Sequence, residues 1–266
     1  MPSVSRRGFL KTGVGAVIAC SLPGCGGDSP TQAPTSSPRL TVRPGNPTIT
    51  PTTGVTALEL GGSRDGVLFV PESYSPDTPA PLFVALHGAG GEGSQWTADP
   101  SWAESRGIVL LAPDSRSSTW DLIEAFFGPD VGFIDRALEH TFDRCRIDPT
   151  RMALAGFSDG ATYALSLGIS NGDLFSHLIA YSPGYIASGP PVGKPPVFVS
   201  HGTADSILPV TLSRDNIVPT LRGMNYDVTY EEFQGGHEIP SEIGDASLDW
   251  FLEVAATVLG PFQVLD

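Results

Sequence analysis

One short stretch of this sequence has the residue types and spacing of an activated serine. It reads Gly156-Phe157-Ser158-Asp159-Gly160 and follows a run of apolar residues. A nucleophilic serine on a tight strand-to-helix turn has unfavourable backbone angles, so the residues two positions away must be small. Gly156 and Gly160 meet this requirement, and we predict that Ser158 is a nucleophile. A plain strand–helix turn with no catalytic role is the alternative interpretation.

Two downstream residues have the types that such a serine needs as partners. A serine hydroxyl is a weak nucleophile, so a base must take its proton and an acid must orient that base. Asp205 follows a later apolar run and His237 follows a late segment of alternating character, in the order serine, acid, histidine. We predict that His237 is the base and that Asp205 fixes its tautomer. Taken singly, Asp205 also fits a helix N-cap and His237 an ordinary loop residue.

A glycine-rich segment supplies candidates for stabilising a developing negative charge. It reads His87-Gly88-Ala89-Gly90-Gly91, directly after an apolar run. Acyl transfer needs donors aimed at the carbonyl oxygen, each contributing about 3–4 kcal/mol to the transition state. We predict that the backbone N–H groups of Ala89 and Asp159 form this oxyanion hole. A phosphate cradle is the alternative, but the lysine of a P-loop does not follow.

Aromatic residues near these motifs are candidates for a substrate pocket. Trp96 follows the glycine-rich segment, and Trp120 and Phe126 lie in the next loop region. We predict that Gly90 and some of these side chains line the pocket, although most aromatic residues in a folded domain belong to the core. A metal site formed by His87, His201 and His237 is a weaker interpretation, and we predict no metal and no organic cofactor.

The elements that must position these residues alternate between strands and helices. Apolar runs predict strands, and amphipathic stretches near 131–144, 160–170, 209–222 and 242–258 predict helices. Uninterrupted apolar strands indicate a mostly parallel sheet covered by helices on both faces. We expect a late strand at its edge. The predicted strands are Val67–Val70, Leu82–Leu86, Ile108–Ala112, Met152–Ala155, Leu178–Tyr181, Val197–Ser200 and Asp227–Phe233.

The chain resembles the α/β-hydrolase superfamily, and in particular its small phospholipase/carboxylesterase-like serine esterases. The resemblance rests on four motifs in the expected order, which are His87–Gly91, Gly156–Gly160, His201-Gly202…Asp205 and Gly236-His237. The resemblance covers about residues 60–260. It implies hydrolysis of carboxylic esters or thioesters through an acyl-enzyme, without metal or organic cofactor. Two positions depart from the family pattern, because Asp159 stands where Met or Gln is frequent and Ala161 where a glycine is frequent. The short segment Gly184–Lys194 predicts an open site with a minimal lid or none.

Two other functions use the same motifs and stay open at this point. An acyltransferase would pass the acyl group from the same triad to an alcohol other than water. An inactive hydrolase-fold binding lipoprotein would keep the fold without the chemistry, although the presence of all three triad side chains argues against it. The natural substrates expected are short acyl esters, feruloyl-type aromatic esters or polyester oligomers.

The first 25 residues have the composition of an export signal. Arg6 and Arg7 precede a short apolar run, which resembles a bacterial twin-arginine signal. Leu22-Pro23-Gly24-Cys25 resembles a lipobox, so we predict lipidation at Cys25, with Cys20 as the alternative. This predicts a protein held at the outer face of the cell membrane, or in the periplasm, with a lipid anchor as its only membrane contact. An ordinary secretory peptide is the competing interpretation.

The remaining chain divides into a spacer and one domain. Residues 26–54 contain six prolines among ten serines and threonines, a composition that predicts an extended, solvated linker. The catalytic domain is predicted over residues 55–266. Cys145 would be its single free thiol, and no nucleophile motif surrounds it, so we predict a structural role.

The charge balance restricts the classes of partner. The chain has 15 basic and 29 acidic residues, a net charge of -14. Without Arg6, Arg7 and Lys11 of the leader, 12 basic residues face the same 29 acidic ones. Such a surface repels phosphate backbones and disfavours nucleic acids as partners. Neutral or cationic ester substrates, small or oligomeric, fit it better.

Overall fold

The computed structural model describes residues 38–187 and 189–257, with side chains up to residue 253. An eight-stranded sheet forms its centre. Numbered β1 to β8 along the chain, its strands lie side by side in the order β1-β2-β4-β3-β5-β6-β7-β8. The first two strands pair antiparallel, and β3 to β8 run parallel to one another. The predicted mostly parallel sheet is therefore confirmed, and the last strand lies at its edge as expected.

All seven predicted strands are present, several of them longer than predicted, and one more precedes them. The extra strand, β1, escapes the sequence pattern because its residues are only half-buried or exposed and form no apolar run. The strands are β1 Gly54–Ala57, β2 Gly66–Val70, β3 Ala80–Leu86, β4 Val109–Pro113, β5 Ile147–Phe157, β6 His177–Tyr181, β7 Val197–Gly202 and β8 Val228–Phe233.

Six α-helices lie between and after these strands in the described part of the chain. The four predicted helical regions are occupied, the third by a π-helical segment Leu212–Ile217 that continues into a short α-helix. The two helices that were not predicted have only four residues each, too few for a hydrophobic period. The helices are α1 Ser101–Glu104, α2 Asp121–Glu124, α3 Pro129–Phe142, α4 Asp159–Ile169, α5 Val218–Gly223 and α6 Ser241–Thr257.

The sheet is covered on both faces because its strands alternate between two apolar cores. In β3, Leu82 and Val84 pack with α3, α4 and α5, whereas Phe83 and Ala85 pack with α1 and α6. Every residue of β3 is buried. Parallel strands buried on both faces give the uninterrupted apolar runs from which they were predicted.

The carboxyl ends of the parallel strands form the edge of the sheet that carries the chemical motifs. β3 ends next to His87, β5 runs directly into Ser158, and the loops after β7 and β8 carry Asp205 and His237. Open α/β sheets bind ligands at this edge. Within the described residues, no helix has the length and apolar character needed to cross a membrane.

Residues 38–43, which the sequence places in the solvated linker, pack against the domain. Leu40 is 1% exposed, and its N–H donates to Asn171 Oδ1 at 2.9 Å. Arg39 and Arg43 both donate to the Asp173 carboxylate, at 2.8 and 2.7 Å. The segment is thus attached to the domain by one buried leucine and by two arginines that bind a carboxylate, although its proline content predicts a free spacer. The packed domain begins well before residue 55.

The contact between this segment and Asp173 has a pH-dependent strength. Hydrogen bonds from Arg39 lower the pKa of Asp173 to about 2, against the opposing effect of burial and with a further contribution from Arg43. A carboxylate whose folded-state pKa is depressed stabilises the fold above its ordinary pKa of about 4 and loses that contribution as pH falls towards 2.

We therefore predict that Asp173→Asn lowers Tm by about 1–3 °C near neutral pH, the range expected for a partly exposed ion pair. The difference from wild type should shrink as pH falls from about 4 towards 2. Thermal unfolding followed by circular dichroism at several pH values measures it. In an Arg39→Gln/Arg43→Gln background the Asn substitution should cause no further loss, and an undiminished loss there would contradict the assigned pairing.

Candidate functional site

Ser158 lies on a sharp turn between β5 and α4, with an unusual backbone. Its φ and ψ angles are 58° and -120°, so it is one of four non-glycine residues with positive φ in the described chain. A Cβ on Gly156 would lie 2.2 Å from Gly160 O, and a Cβ on Gly160 would lie 2.3 Å from Leu86 O. Both glycines are therefore required by close backbone approach, as the sequence pattern predicts.

The structure brings Ser158, His237 and Asp205 together in one chain of hydrogen bonds. His237 Nε2 lies 2.8 Å from Ser158 Oγ, and His237 Nδ1 lies 2.6 Å from Asp205 Oδ2. Ser158 is 8% exposed, so its hydroxyl is reached only from the mouth of the site. The imidazole of His237 also contacts the ring of Phe157, with 4.7 Å between centroids. This geometry lets the imidazole accept the serine proton while the carboxylate holds its other nitrogen.

The Asp205 carboxylate is held in its ionised form by donors on both oxygens. Oδ1 accepts hydrogen bonds from the backbone N–H groups of Ile207 and Leu208, both at 2.8 Å. Burial raises the pKa of Asp205, but the hydrogen bond from His237 and those from Leu208 and Ile207 outweigh burial and keep the pKa below its ordinary value. An ionised carboxylate at this position stabilises the imidazolium that forms when His237 takes a proton.

His201 is a second imidazole beside the same carboxylate, but its hydrogen bonds lead away from the serine. Its Nε2 lies 2.7 Å from Leu208 O and 3.3 Å from Asp205 Oδ2. Its Nδ1 lies 2.7 Å from Ser213 Oγ. With Nε2–H donating to the Leu208 carbonyl, Nδ1 accepts from the Ser213 hydroxyl. His201 therefore supports the loop that carries Asp205 and does not reach Ser158.

The predicted oxyanion loop, His87–Gly91, is held by hydrogen bonds to its carbonyl groups. Trp120 Nε1 donates to His87 O at 2.8 Å, and Arg64 Nη2 donates to Gly91 O at 2.6 Å. The Ser115 N–H donates to His87 Nε2 at 3.0 Å. His87 Nδ1, 2.7 Å from Gly88 O, must then carry the ring proton. Burial lowers the pKa of His87, in keeping with a neutral ring that locks this loop.

These supporting residues are the part of the site that the sequence does not predict. Arg64 and Ser115 lie far from His87 along the chain and belong to no local motif. Arg64 also donates to Ser115 O at 2.7 Å, so it joins the loop before β2 to the loop after β4. The position of Arg64 between these two loops depends on the fold and cannot be predicted from the sequence near His87.

The two N–H groups predicted as oxyanion donors belong to the loop after β3 and to the start of α4. Ala89 is exposed within the glycine-rich loop, and a Cβ on the preceding Gly88 would lie 3.4 Å from Ser158 Cβ. Asp159 is the first residue of α4, where an N–H group has no acceptor within the helix. The Asp159 carboxylate accepts a hydrogen bond from Thr119 Oγ1 at 2.6 Å. Ala89 and Asp159 remain the predicted donors.

The residues predicted to line a pocket have different environments. Trp96 is half-buried and lines a cavity of about 190 Å³ together with His87, Gly88 and Phe157. Trp120 is 0% exposed and lies between His87 and Tyr163 in the core, so a pocket role does not fit it. Phe126 is 80% exposed. Gly90, at φ 68°, donates its N–H to Ser118 O at 2.7 Å and lines none of the cavities described here.

Ile239 is a pocket residue that the sequence does not indicate. It lines the same cavity as Trp96, two residues after His237. A single isoleucine in a loop has no distinguishing pattern, so only its position after the base places it here. Glycines at the loop ends let this segment approach β7, because a Cβ on Gly202 would lie 2.2 Å from Gly236 O.

The other potentially reactive groups are engaged or buried. Among the described residues, no group of three or more histidine, cysteine or acidic side chains is arranged to hold a metal ion. Cys145 is 1% exposed, and burial raises the pKa of its thiol to about 12. The predicted lipidation sites Cys25 and Cys20 lie outside the described residues.

The chain is similar in sequence to several feruloyl esterases. No protein-family model matches the chain. Feruloyl esterase B of Thermothelomyces thermophilus is 32% identical over 125 residues, which cover 43% of this chain and 42% of that protein. Feruloyl esterase C of Emericella nidulans is 27% identical over 230 residues, covering 71% of this chain and 84% of that protein. The chain thus spans less than half of the first relative and most of the second.

Solved structures share the fold at low sequence identity. The CE1 ferulic acid esterase from Anaeromyces mucronatus, solved in complex with ferulic acid, has a TM-score of 0.55 and 19% identity, covering 74% of this chain and 88% of that one. At this identity the likeness establishes the fold alone. The chain has the α/β-hydrolase fold, and its similarity to the curated esterases supports a carboxylic-ester hydrolase.

The two histidines beside Asp205 provide a matched pair of variants. Only His237 reaches Ser158 Oγ, so we predict that His237→Asn lowers kcat for p-nitrophenyl acetate by roughly 10⁵–10⁶-fold, as for loss of a serine hydrolase base. His201→Asn should retain most of the turnover, because its hydrogen bonds go to Leu208 O and Ser213 Oγ and its ring, 3.3 Å from Asp205 Oδ2, does not reach Ser158. Circular dichroism checks that both variants are folded. Equal loss of turnover in two folded variants would contradict the assignment of the base.

Proposed function

We propose that this protein hydrolyses carboxylic esters through an acyl-enzyme formed on Ser158. The observation that carries the proposal is the series of contacts from Asp205 through His237 to the serine hydroxyl, at 2.6 and 2.8 Å. Each contact lies within hydrogen-bond range, and the two use opposite nitrogens of one imidazole. The hydroxyl is thus connected to a base whose tautomer is fixed.

The proposed reaction has two halves. In the first, Ser158 Oγ attacks the ester carbonyl carbon while His237 Nε2 takes the hydroxyl proton; the carbon–oxygen bond to the alcohol then breaks and the alcohol leaves with that proton. In the second, water attacks the acyl carbon and gives a proton to His237, and Ser158 recovers it as the acid departs. The N–H groups of Ala89 and Asp159 are the proposed donors to the carbonyl oxygen in both halves.

We infer that the substrate class includes esters of aromatic acids. Two observations support this: the named relatives are feruloyl esterases, and the cavity beside the serine has the aromatic side chains of Trp96 and Phe157 in its lining. A flat acyl group packs well between aromatic rings in such a cavity. Methyl ferulate, compared with an acetate ester, is therefore the informative substrate.

A serine-directed probe tests the proposed nucleophile. We predict that a fluorophosphonate labels the wild-type protein on Ser158, and that Ser158→Ala removes both the label and the hydrolysis of methyl ferulate and p-nitrophenyl acetate. Mass spectrometry of the labelled peptide and release of ferulate are the measurements. Ser182→Ala is the matched control, because Ser182 is another buried serine with positive φ, at 51°, and should not affect turnover.

The same experiment separates the competing functions. A folded wild-type protein that takes the label and releases no ferulate or acetate into water, but forms the ferulate or acetate ester of an added acceptor alcohol, would be an acyltransferase. A protein that takes no label would be a binding module, and the proposal would fail. Label retained by Ser158→Ala would also contradict the assignment.

We further propose that the protein is exported by the twin-arginine route and anchored by lipid at Cys25. The proposal is supported by the sequence pattern alone, in which Arg6 and Arg7 precede a short apolar run and a lipobox-like segment. Export after folding suits a domain whose catalytic contacts join distant parts of the chain. The residues that follow Cys25 up to the packed segment at residue 38 would separate the domain from the membrane.

Metabolic labelling with palmitate in a bacterial host that has twin-arginine export tests this. We expect label on wild-type protein and on Cys20→Ser, but not on Cys25→Ser, because only the lipobox cysteine is acylated. Arg6→Lys/Arg7→Lys should leave the protein in the cytoplasmic fraction. Label that disappears in Cys20→Ser and persists in Cys25→Ser would move the anchor to Cys20, and export of the double lysine variant would contradict the twin-arginine route.

A further inference from the structure

Two neighbouring cavities share part of their lining, and the smaller of them reaches the loops that flank the proposed nucleophile. The first, about 190 Å³, borders the oxyanion loop and the base through Gly88 and Phe157. The second, about 640 Å³, lies between α1 and α6 and is mainly apolar. Its lining includes Phe83, Trp96, Trp102, Tyr181, Ile239 and Leu248.

Only two residues line both cavities, Trp96 and Ile239. The indole of Trp96 packs against Phe83 and Tyr181, with 6.4 Å between ring centroids in each case. Ile239 is two residues from His237, whose ring is tied to Asp205 and Ser158. Both side chains are partly buried and pack against the apolar core that contains Phe83 and Tyr181. We call this pair the partition between the two cavities.

The volumes of the two cavities show why a partition between them would matter for substrate binding. Pockets for small-molecule ligands generally measure about 300–1,000 Å³. The cavity that borders Gly88 and Phe157, the residue before Ser158, is below this range, whereas the cavity behind the partition is within it. The volume available to a substrate group next to the serine thus depends on whether these two side chains separate the cavities.

We propose that Trp96 and Ile239 determine the acyl specificity of this enzyme by closing the small cavity against the larger one. The acyl group of the substrate lies in the small cavity, which accepts short or flat acyl groups. Long, flexible acyl chains are rejected because the partition blocks their way to the larger cavity. This inference rests on the proposed function, since it concerns the acyl group bound to Ser158.

Hydrolysis of p-nitrophenyl esters from acetate to dodecanoate tests the proposal. We expect kcat/KM of the wild type to fall steeply beyond butanoate. Trp96→Ala should join the cavities and raise the ratio of decanoate to butanoate kcat/KM by about tenfold or more, since single methylene groups in apolar pockets already change specificity by such factors. Ile239→Ala should shift the ratio in the same direction by a smaller factor. Because this variant keeps the indole of Trp96, it also tests the partition if Trp96→Ala does not fold.

Trp102→Ala is the matched control. Trp102 lines the larger cavity but not the smaller one, so its removal enlarges the rear space without opening the partition and should leave the acyl-length profile unchanged. A second series, in which acetate esters carry alcohols of increasing length, distinguishes the acyl group from the alcohol. Its profile should be the same in wild type and Trp96→Ala.

The acyl-length profiles of the wild type and of the two variants decide whether the partition exists. A wild type that hydrolyses decanoate as readily as butanoate, or folded Trp96→Ala and Ile239→Ala variants with unchanged profiles, would overturn the proposed partition while leaving the esterase intact. A shift confined to the alcohol series would overturn the acyl assignment. Loss of every ester activity in the wild type, by contrast, would be a failure of the proposed function itself, and the inference would fall with it.

Discussion

The strained backbone at Ser158 is the constraint on which the site depends. A non-glycine residue in this region of φ and ψ costs on the order of 1–3 kcal/mol and persists only where its surroundings fix it. Here the Ser158 N–H donates to Tyr181 O at 2.9 Å, at the end of β6. Gly160 packs against the last carbonyl of β3, because a Cβ on Gly160 would lie only 2.3 Å from Leu86 O. Three adjacent strands therefore hold the turn, and the hydroxyl is presented above the sheet as a result.

Asp205 and His237, the proposed acid and base, are positioned by a second contact between loops. The loops after β7 and β8 are hydrogen-bonded to each other, because Thr203 N–H donates to Phe233 O and Ala204 N–H donates to Gly235 O, both at 2.9 Å. The spacing between Asp205 and His237 is thus set by backbone bonds that continue the parallel pairing of the two strands. Neither side chain depends on a flexible connection to reach the other, and such preorganisation is what proton transfer to a fixed base requires.

Much of this arrangement was predictable, and the limits have physical causes. The uninterrupted apolar runs indicated the strands because both faces of the sheet are buried, and the glycines around Ser158 indicated the turn because no other residue fits. β1 and the attachment of residues 38–43 were not predictable, since half-buried residues leave no periodic signal and a single Leu40 provides the anchor. The sequence could not tell which of Trp96, Trp120 and Phe126 lies in the core, because aromatic residues next to a site are as suitable for supporting its loops, as buried Trp120 does, as for lining it. The supporting role of Arg64 depends on contacts between loops distant in sequence.

The Asp159 carboxylate places a negative charge next to Ser158, the proposed nucleophile. The N-terminus of α4 begins immediately after Ser158, and its free N–H groups favour negative charge at the position where the oxyanion forms. The Asp159 carboxylate lies in the first turn of the same helix and would oppose that charge if it faced the oxygen. Thr119 holds one of its oxygens by a hydrogen bond, so the carboxylate is directed towards the loop after β4. This hydrogen bond leaves the N–H groups at the start of α4 to favour negative charge on the proposed oxyanion, so the same residue can supply a donor through its backbone and a carboxylate that is engaged elsewhere.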